Sequence, residues 1–303
     1  MMPIMARCAP GTLICADGPQ RGKMPESTVQ QQLEPGLLMS STPFPSLGPP
    51  RWPVRLLDVG LWLIGAGLLL CLICGPSHRF GLANFRVALL LLAGGLLLLL
   101  AGTLLAIVGM LVASAQRLRF ARGPAMVAIV VGLLASGYLL SWIARARAAP
   151  PIHEISTDLA DPPAFVVVAA LRRDAHAVNP SEYVSRVSAP GGRIIEVPEL
   201  QRQRYPDIQP LHLGLAPAAA LQAAQRAAQR LGWQIDAYVP GDGRLEATDS
   251  SAFFGFKDDV VVRVRASDAG SRLDVRSKSR VGLSDVGANA RRVRAFLKLM
   301  ESN

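Results

Sequence analysis

The sequence predicts a membrane-anchored α+β protein: three transmembrane helices followed by a two-layer domain of helix, four-stranded antiparallel meander and helix. Three observations carry this expectation. The first half holds three long runs without a charged residue. The second half holds segments that alternate apolar and polar residues with a period of two. Those segments are flanked by stretches whose apolar residues recur every three or four positions.

Charge distribution sharpens the division. The chain has 303 residues, half of them apolar, and a formal net charge of +10. Residues 1–149 contain 12 Lys+Arg against 4 Asp+Glu, whereas residues 150–303 contain 20 against 18. The excess therefore sits mainly beside the apolar runs, at Arg51, Arg55, Arg79, Arg86, Arg117, Arg119, Arg122, Arg145 and Arg147. Arginines there orient spans and meet lipid headgroups. The second half lacks the strong basic excess that drives phosphate-backbone binding, so nucleic acid is not an expected partner.

Residues 1–53 carry 10 of the 23 prolines and show no periodicity, which predicts a disordered tail. The tail has no apolar core of the kind a cleavable signal peptide needs. Met39 precedes a similar polar stretch and is an alternative start.

The three uncharged runs are 20 residues between Asp58 and Arg79, 30 between Arg86 and Arg117, and 22 between Arg122 and Arg145. About 20 residues cross about 30 Å of hydrocarbon. The predicted transmembrane region is 54–147, with spans near 56–76, 87–115 and 124–144. The middle run exceeds the need and must tilt or extend. Trp52, Tyr138 and Trp142 lie near span ends, where amphipathic rings anchor. The uncharged runs lack the mid-membrane charges that transport usually requires, so an anchor is expected rather than a pump. Ala128, Gly132 and Ser136, and Gly102 and Ala106, have the four-residue spacing of small residues that lets helices approach closely. Packing within the chain is the expected use. Cys71 and Cys74 form a C-x-x-C in an apolar run, a setting that suits small span residues rather than a redox or zinc pair. Cys8 and Cys15 lie in the tail, and the second half has no cysteine.

Three spans place the termini on opposite sides. Five arginines (Arg51, Arg55, Arg117, Arg119, Arg122) flank one side and four (Arg79, Arg86, Arg145, Arg147) the other, which favours a cytoplasmic N-terminus and an exported C-terminal domain.

The predicted soluble domain covers 150–303. Asp161-Pro162-Pro163 breaks structure, Phe165–Leu171 reads as a strand or a buried arm, and Gly191-Gly192 marks a turn. Pro217 suits a first helical position and Gly232 a position just past the end, with Leu221, Ala224, Ala228 and Leu231 on one face. Four strands follow. Trp233 and Ile235 begin the first, and Leu245 and Ala247 lie in the second after the turn Pro240–Gly243. Val260, Val262 and Val264 mark the third. Leu273, Val275, Ser277 and Ser279 mark the fourth, after the turn Asp268–Gly270. The closing helix is expected from about Ser284 to Met300, with Ser284 or Asp285 as cap and Val286, Ala290, Val293, Leu297 and Met300 on one face. One apolar sheet face and two amphipathic helices imply both helices on that face.

Several segments resemble a bacterial family of unknown function, domain of unknown function 1499. Ile152-His153-Glu154-Ile155-Ser156-Thr157-Asp158 with Pro162-Pro163 is similar to its opening motif, and Tyr205-Pro206-Asp207-Ile208 with Pro210-Leu211 to its middle. The runs Phe254–Val264 and Arg276–Asp285, the latter continuing through Gly287, Asn289, Ala290 and Arg291, are similar to its strand region. The resemblance spans 152–298. It implies no activity, but it does imply a cell-envelope setting, since members look exported or membrane-attached.

Candidate chemistry is sparse. His153, Ser156 and Asp158 are triad residue types, but they sit within six residues, whereas triads usually assemble from distant segments. His153, His176 and His212 lack the spacing of metal ligands. No catalytic residue, metal or cofactor is therefore assigned. Arg263, Arg265, Arg272, Arg276, Lys278 and Arg280 share the polar sheet face with Asp236, Glu246 and Asp274. The plainer reading is a solvated face laced with ion pairs. The sharper one is an anion site in which Arg276 and Arg280 meet the helix start at Ser284. The expected function is a non-catalytic envelope-side binding module, with membrane lipid, a wall anion or an envelope protein as partner, on the periplasmic side of a bacterial inner membrane. The alternative is a membrane-proximal, hydrolase-like enzyme.

Overall fold

A computed structural model describes residues 50–302 apart from 176, 189 and 190. The expected tail, Cys8, Cys15 and Met39 lie outside the described residues, and so does His176. Three helices open the described chain: α1 (Trp52–Arg79), α2 (Phe85–Ala115) and α3 (Arg122–Ala148). Each is long and apolar enough to cross a membrane. All three run past the spans read from the sequence, because helical backbone continues through the flanking polar residues. Consequently α1 carries Arg55 and Asp58 in its first two turns.

Glycine sets the contact between α1 and α2. A Cβ at Gly60 would lie 2.7 Å from the Gly102 carbonyl oxygen, and one at Gly67 would lie 2.8 Å from that of Gly95. Backbone therefore packs against backbone, the close approach that small residues permit. Gly102 and Ala106 face α1, while Gly132 of α3 faces Thr103 of α2. The small-residue stripes serve packing within the chain, as expected.

The remainder is a sheet-rich domain. Its long strands are β5 (Gln234–Val239), β6 (Arg244–Ser250), β7 (Lys257–Ser267) and β8 (Gly270–Ser279), paired antiparallel in sequence order. Gly243 (φ +58°) ends the β5–β6 connection, and the two residues Asp268 and Ala269 make the β7–β8 turn. Helix α6 (Pro217–Arg230) precedes the meander and α7 (Ala288–Glu301) follows it. One core joins Leu221, Ala224 and Ala228 of α6 to Leu245, Val260, Val262, Val264, Leu273 and Val275 of the sheet and to Val293, Phe296 and Leu297 of α7. Trp233 stacks on Phe296 with centroids 5.2 Å apart. The expected order of helix, four strands and helix holds.

Three features differ from expectation. First, two three-residue strands, β1 (Glu154–Ser156) and β4 (Leu211–Leu213), both pair with β8, β1 opposite Arg276–Lys278 and β4 opposite Ser271–Leu273. A separate hairpin joins β2 (Arg186–Ser188) to β3 (Ile194–Glu196), followed by α5 (Val197–Arg204). Second, Phe165–Leu171 is not a strand. Most of it belongs to α4 (Val167–Asp174); Val168 of α4 and Phe165 just before it pack against Val261 on the face of the sheet opposite the main core. The polar face is therefore covered around Asp259, Val261, Arg276 and Lys278, while Arg265 at the far end of β7 stays exposed, and β8 is buried along nearly its whole length. Third, the last helix starts at Ala288, four residues later than read from the sequence. Val286 and Gly287 take positive φ (52° and 75°), which ends any helical run upstream. Asp285, not Ser284, accepts from the backbone of Gly287 (2.8 Å) and Asn289 (2.7 Å).

Candidate functional site

The covered face of β6–β8 carries a seam of buried charge. Strand alternation puts Glu246, Thr248, Asp259, Arg276, Lys278 and Arg280 on this side. Segment 157–184 closes over them, so their partners must come from the protein itself.

At the centre, Glu154 of β1 stands opposite Lys278 of β8. Its carboxylate accepts from Lys278 Nζ at 3.0 Å and, through the other oxygen, from Arg276 Nε. Arg276 also donates to the carbonyls of Pro163 (3.0 Å) and Ser181 (2.8 Å), and its guanidinium lies 4.6 Å from the centre of the Phe165 ring. Lys278 donates to the Glu182 carbonyl at 2.6 Å. Burial pushes the Lys278 ammonium below the ordinary lysine range, with Glu154 opposing. Burial likewise raises the Tyr183 hydroxyl to about 12.

Beside this lies a second knot. Asp259 accepts from Arg172 at 2.5 Å, from both ends of the Arg280 fork at 2.9 and 2.7 Å, and from Thr248 at 2.9 Å. Asn179 donates to the carbonyls of Ser279 (3.1 Å) and Gly282 (3.0 Å), which ties the covering segment to the end of β8. Glu246 accepts from the backbone N–H groups of Val166 (3.1 Å), Val167 (3.2 Å) and Val168 (2.8 Å). A carboxylate on β6 thereby satisfies the orphan donors and meets the positive end of α4. At the other end of the seam, Asp158 accepts from Arg263 (3.3 Å) and Arg272 (2.7 Å), and Asp274 from both as well.

The expected site residues now have places. Arg276 of β8 and Arg280, one residue past its end, lie on the same side, as their spacing implies. The anions they meet are internal: Glu154 for Arg276 and Asp259 for Arg280. Both guanidiniums are more than nine-tenths buried. Ser284 does not begin the helix; its hydroxyl donates to the Pro150 carbonyl at 2.7 Å. The expected ion pairs are present, and those of Arg265 and Arg272 stay partly exposed; around Glu154 and Asp259 segment 157–184 desolvates them, which corrects the expectation of a solvated face there. Ser156 Oγ donates to the Asp158 carbonyl at 2.7 Å, and buried His153 makes no ring hydrogen bond to Ser156 or Asp158, so the three are not linked as a triad. His212 is exposed on β4, and among the described residues no group of His, Cys, Asp or Glu could hold a metal ion.

Burial of a lysine is one route to a neutral amine nucleophile. Here Lys278 is fully buried and donates to Glu154 and the Glu182 carbonyl, so the seam holds segments together. A polar patch in the main core acts similarly. Asn289 of α7 donates to the His153 carbonyl (3.0 Å) and to Ser279 Oγ (2.9 Å), and accepts from Ser277 Oγ (2.6 Å).

Sequence reasoning missed Glu154, Arg172, Asn179 and Asp259 as members of the seam. Asp259 was legible, since it shares parity with Arg263 on β7. The other three depend on where segment 152–184 returns to the sheet, for which the sequence carries no local signal.

The fold and its seam define a class: an α+β domain with a sealed charged layer, carried behind three helices long enough to cross a membrane. Residues 154–300, the bulk of that domain, match the family described as protein of unknown function (DUF1499). No curated protein matches the chain.

Proposed function

We propose that the chain is a membrane-anchored, non-catalytic binding module. Its domain stands on the periplasmic face of a bacterial inner membrane and engages anionic groups at that surface. The observation that carries this reading is the basic surround where the helices meet the domain. Arg86, Arg145, Arg147 and Lys257 are exposed at the start of α2, the end of α3 and the start of β7. Lys257 follows Phe256, whose ring lies 5.0 Å from that of His78 near the end of α1. Basic residues beside spans attract anionic headgroups. In this reading the ligand-facing cations are these four, and Arg276 and Arg280 serve the interior.

Native mass spectrometry of the detergent-solubilised full chain tests it. Phosphatidylglycerol should be retained in preference to phosphatidylcholine. Replacing the four cations with Gln should remove the preference. Added soluble glycerol phosphate should compete only if the phosphate group, rather than the whole lipid, is recognised. Equal retention of both lipids by the wild-type chain would refute the reading.

A further inference from the structure

The connection between β6 and β7 is a hydrogen-bonded aromatic loop seated on the end of α1. Within Ser251–Phe256, the Ser251 amide donates to the Phe256 carbonyl, the Gly255 amide to the Ser251 carbonyl and the Phe256 amide to Ser251 Oγ, each at 2.9 Å. The Phe254 and Phe256 rings are nearly parallel with centroids 5.0 Å apart, and Phe253 meets Phe254 edge-on at the same distance. This pre-organised loop is fastened to α1. Arg79 donates to the carbonyls of Ser251 (3.1 Å) and Ala252 (2.5 Å), and His78 Nδ1 lies 2.6 Å from the Phe254 carbonyl oxygen.

Two glycines make the approach possible. A Cβ at Gly75 would overlap the Phe253 ring. Gly255 takes φ +67°, and a Cβ there would lie 3.0 Å from Cα of Arg79. The depth of the contact is informative. Arg79 closes the uncharged run that begins after Asp58, and Gly75 lies one helical turn, about 6 Å, inside it. The Phe253 ring therefore sits spanward of the first charged side chain. It keeps 44% of its surface exposed, and Phe80 and Leu82, in the link that follows α1, are more exposed still. Apolar rings beside Arg79 and Lys257 have the composition of a surface that lies in the headgroup–acyl boundary.

We infer that the Phe253–Phe256 loop is a lipid-contacting wedge, which inserts into the interfacial layer of the bilayer and fixes how the domain sits on the membrane. The inference rests on the reading of α1 as a span. The wedge leaves the domain little freedom to swing on its linker, so the basic surround is held at headgroup level.

Power-saturation electron paramagnetic resonance of the full chain in lipid nanodiscs tests this. Cys8, Cys15, Cys71 and Cys74 are replaced with Ala, and single nitroxides are placed at Ala252→Cys, at Leu69→Cys within α1 and at Asp268→Cys in the β7–β8 turn. The label at 252 should show a higher ratio of oxygen to nickel-chelate collisions than the label at 268, shifted towards that at 69. Adding Phe253→Ser should move the label at 252 towards the water value. A label at 252 that matches 268 while 69 reads as lipid would overturn the wedge and leave the span intact. A label at 69 that reads as water would overturn the spanning reading, and the wedge with it. No shift on Phe253→Ser would show that the ring is not what holds the loop in the interface.

Discussion

Glu154 lies directly across from Lys278 in the β1–β8 pairing, and its carboxylate is shared between Lys278 and Arg276. Two stretches more than 120 residues apart in sequence thus meet through one buried acid. All three side chains are essentially without solvent contact, so the charges rely on one another. Removing one partner of such a set leaves a buried charge unpaired, which typically costs about 3–5 kcal/mol. Glu154→Gln should lower the urea midpoint of the domain markedly in pulse proteolysis of the detergent-solubilised chain. An unchanged midpoint would mean that the seam is solvated and segment 157–184 does not cover it.

The two faces of β7 give a second expectation. Val262 lies opposite Leu245 and Val275 in the main core, whereas Val261 packs under Phe165 and Val168 on the other face. An unpaired carboxylate at either place costs several kcal/mol. Val262→Asp and Val261→Asp should both abolish protease resistance of the domain. In a domain with one solvated face, Val261→Asp would be tolerated, so resistance in that variant would contradict the covered face.

Helix α4 depends on a distant cap. Glu246→Ala removes the acceptor of three N–H groups at the start of the helix. Caps of this kind contribute about 0.5–2 kcal/mol. Hydrogen exchange should therefore accelerate at Val166–Val168 and through α4 while the amides of β7 stay protected. Equal acceleration across the sheet would instead indicate global unfolding, and no acceleration would show that the cap is dispensable.

His153 provides the pH dependence. Burial pushes its imidazole below the ordinary range near 6.5, the Lys278 cation reinforces this, and Glu154 opposes it. The unfolded chain then binds a proton that the folded chain refuses. Stability attributable to His153 is complete above pH 6.5 and is lost as pH falls from there through the folded value. His153→Gln should flatten this part of the profile. A wild-type midpoint that does not fall below pH 6.5 relative to the variant would contradict the assignment.

How much was legible beforehand follows from length and repetition. The meander and its two helices announce themselves because β5–β8, α6 and α7 are long enough for periodicity to accumulate. Strands β1 and β4 have three residues each, too few to carry a period, and each takes its conformation from the half of β8 it pairs with. The parity of Arg276, Lys278 and Arg280 told which side they occupy, but parity cannot tell whether a side is wet. That was decided by α4, whose cap on β6 is about 80 residues away. Lipid contact by the aromatic loop was equally hidden, since Phe253 gains its meaning only beside Gly75.

In the proposed arrangement the three helices all cross the membrane, and an odd number of crossings puts the domain on the opposite side from the start of α1. Alkaline phosphatase fused after Asn303 reads this most directly, because the enzyme is active only when exported. The fusion should be active, and a cytoplasm-dependent fluorescent reporter at the same position should be dark. An inactive phosphatase with a bright reporter would place the domain in the cytoplasm and contradict the account.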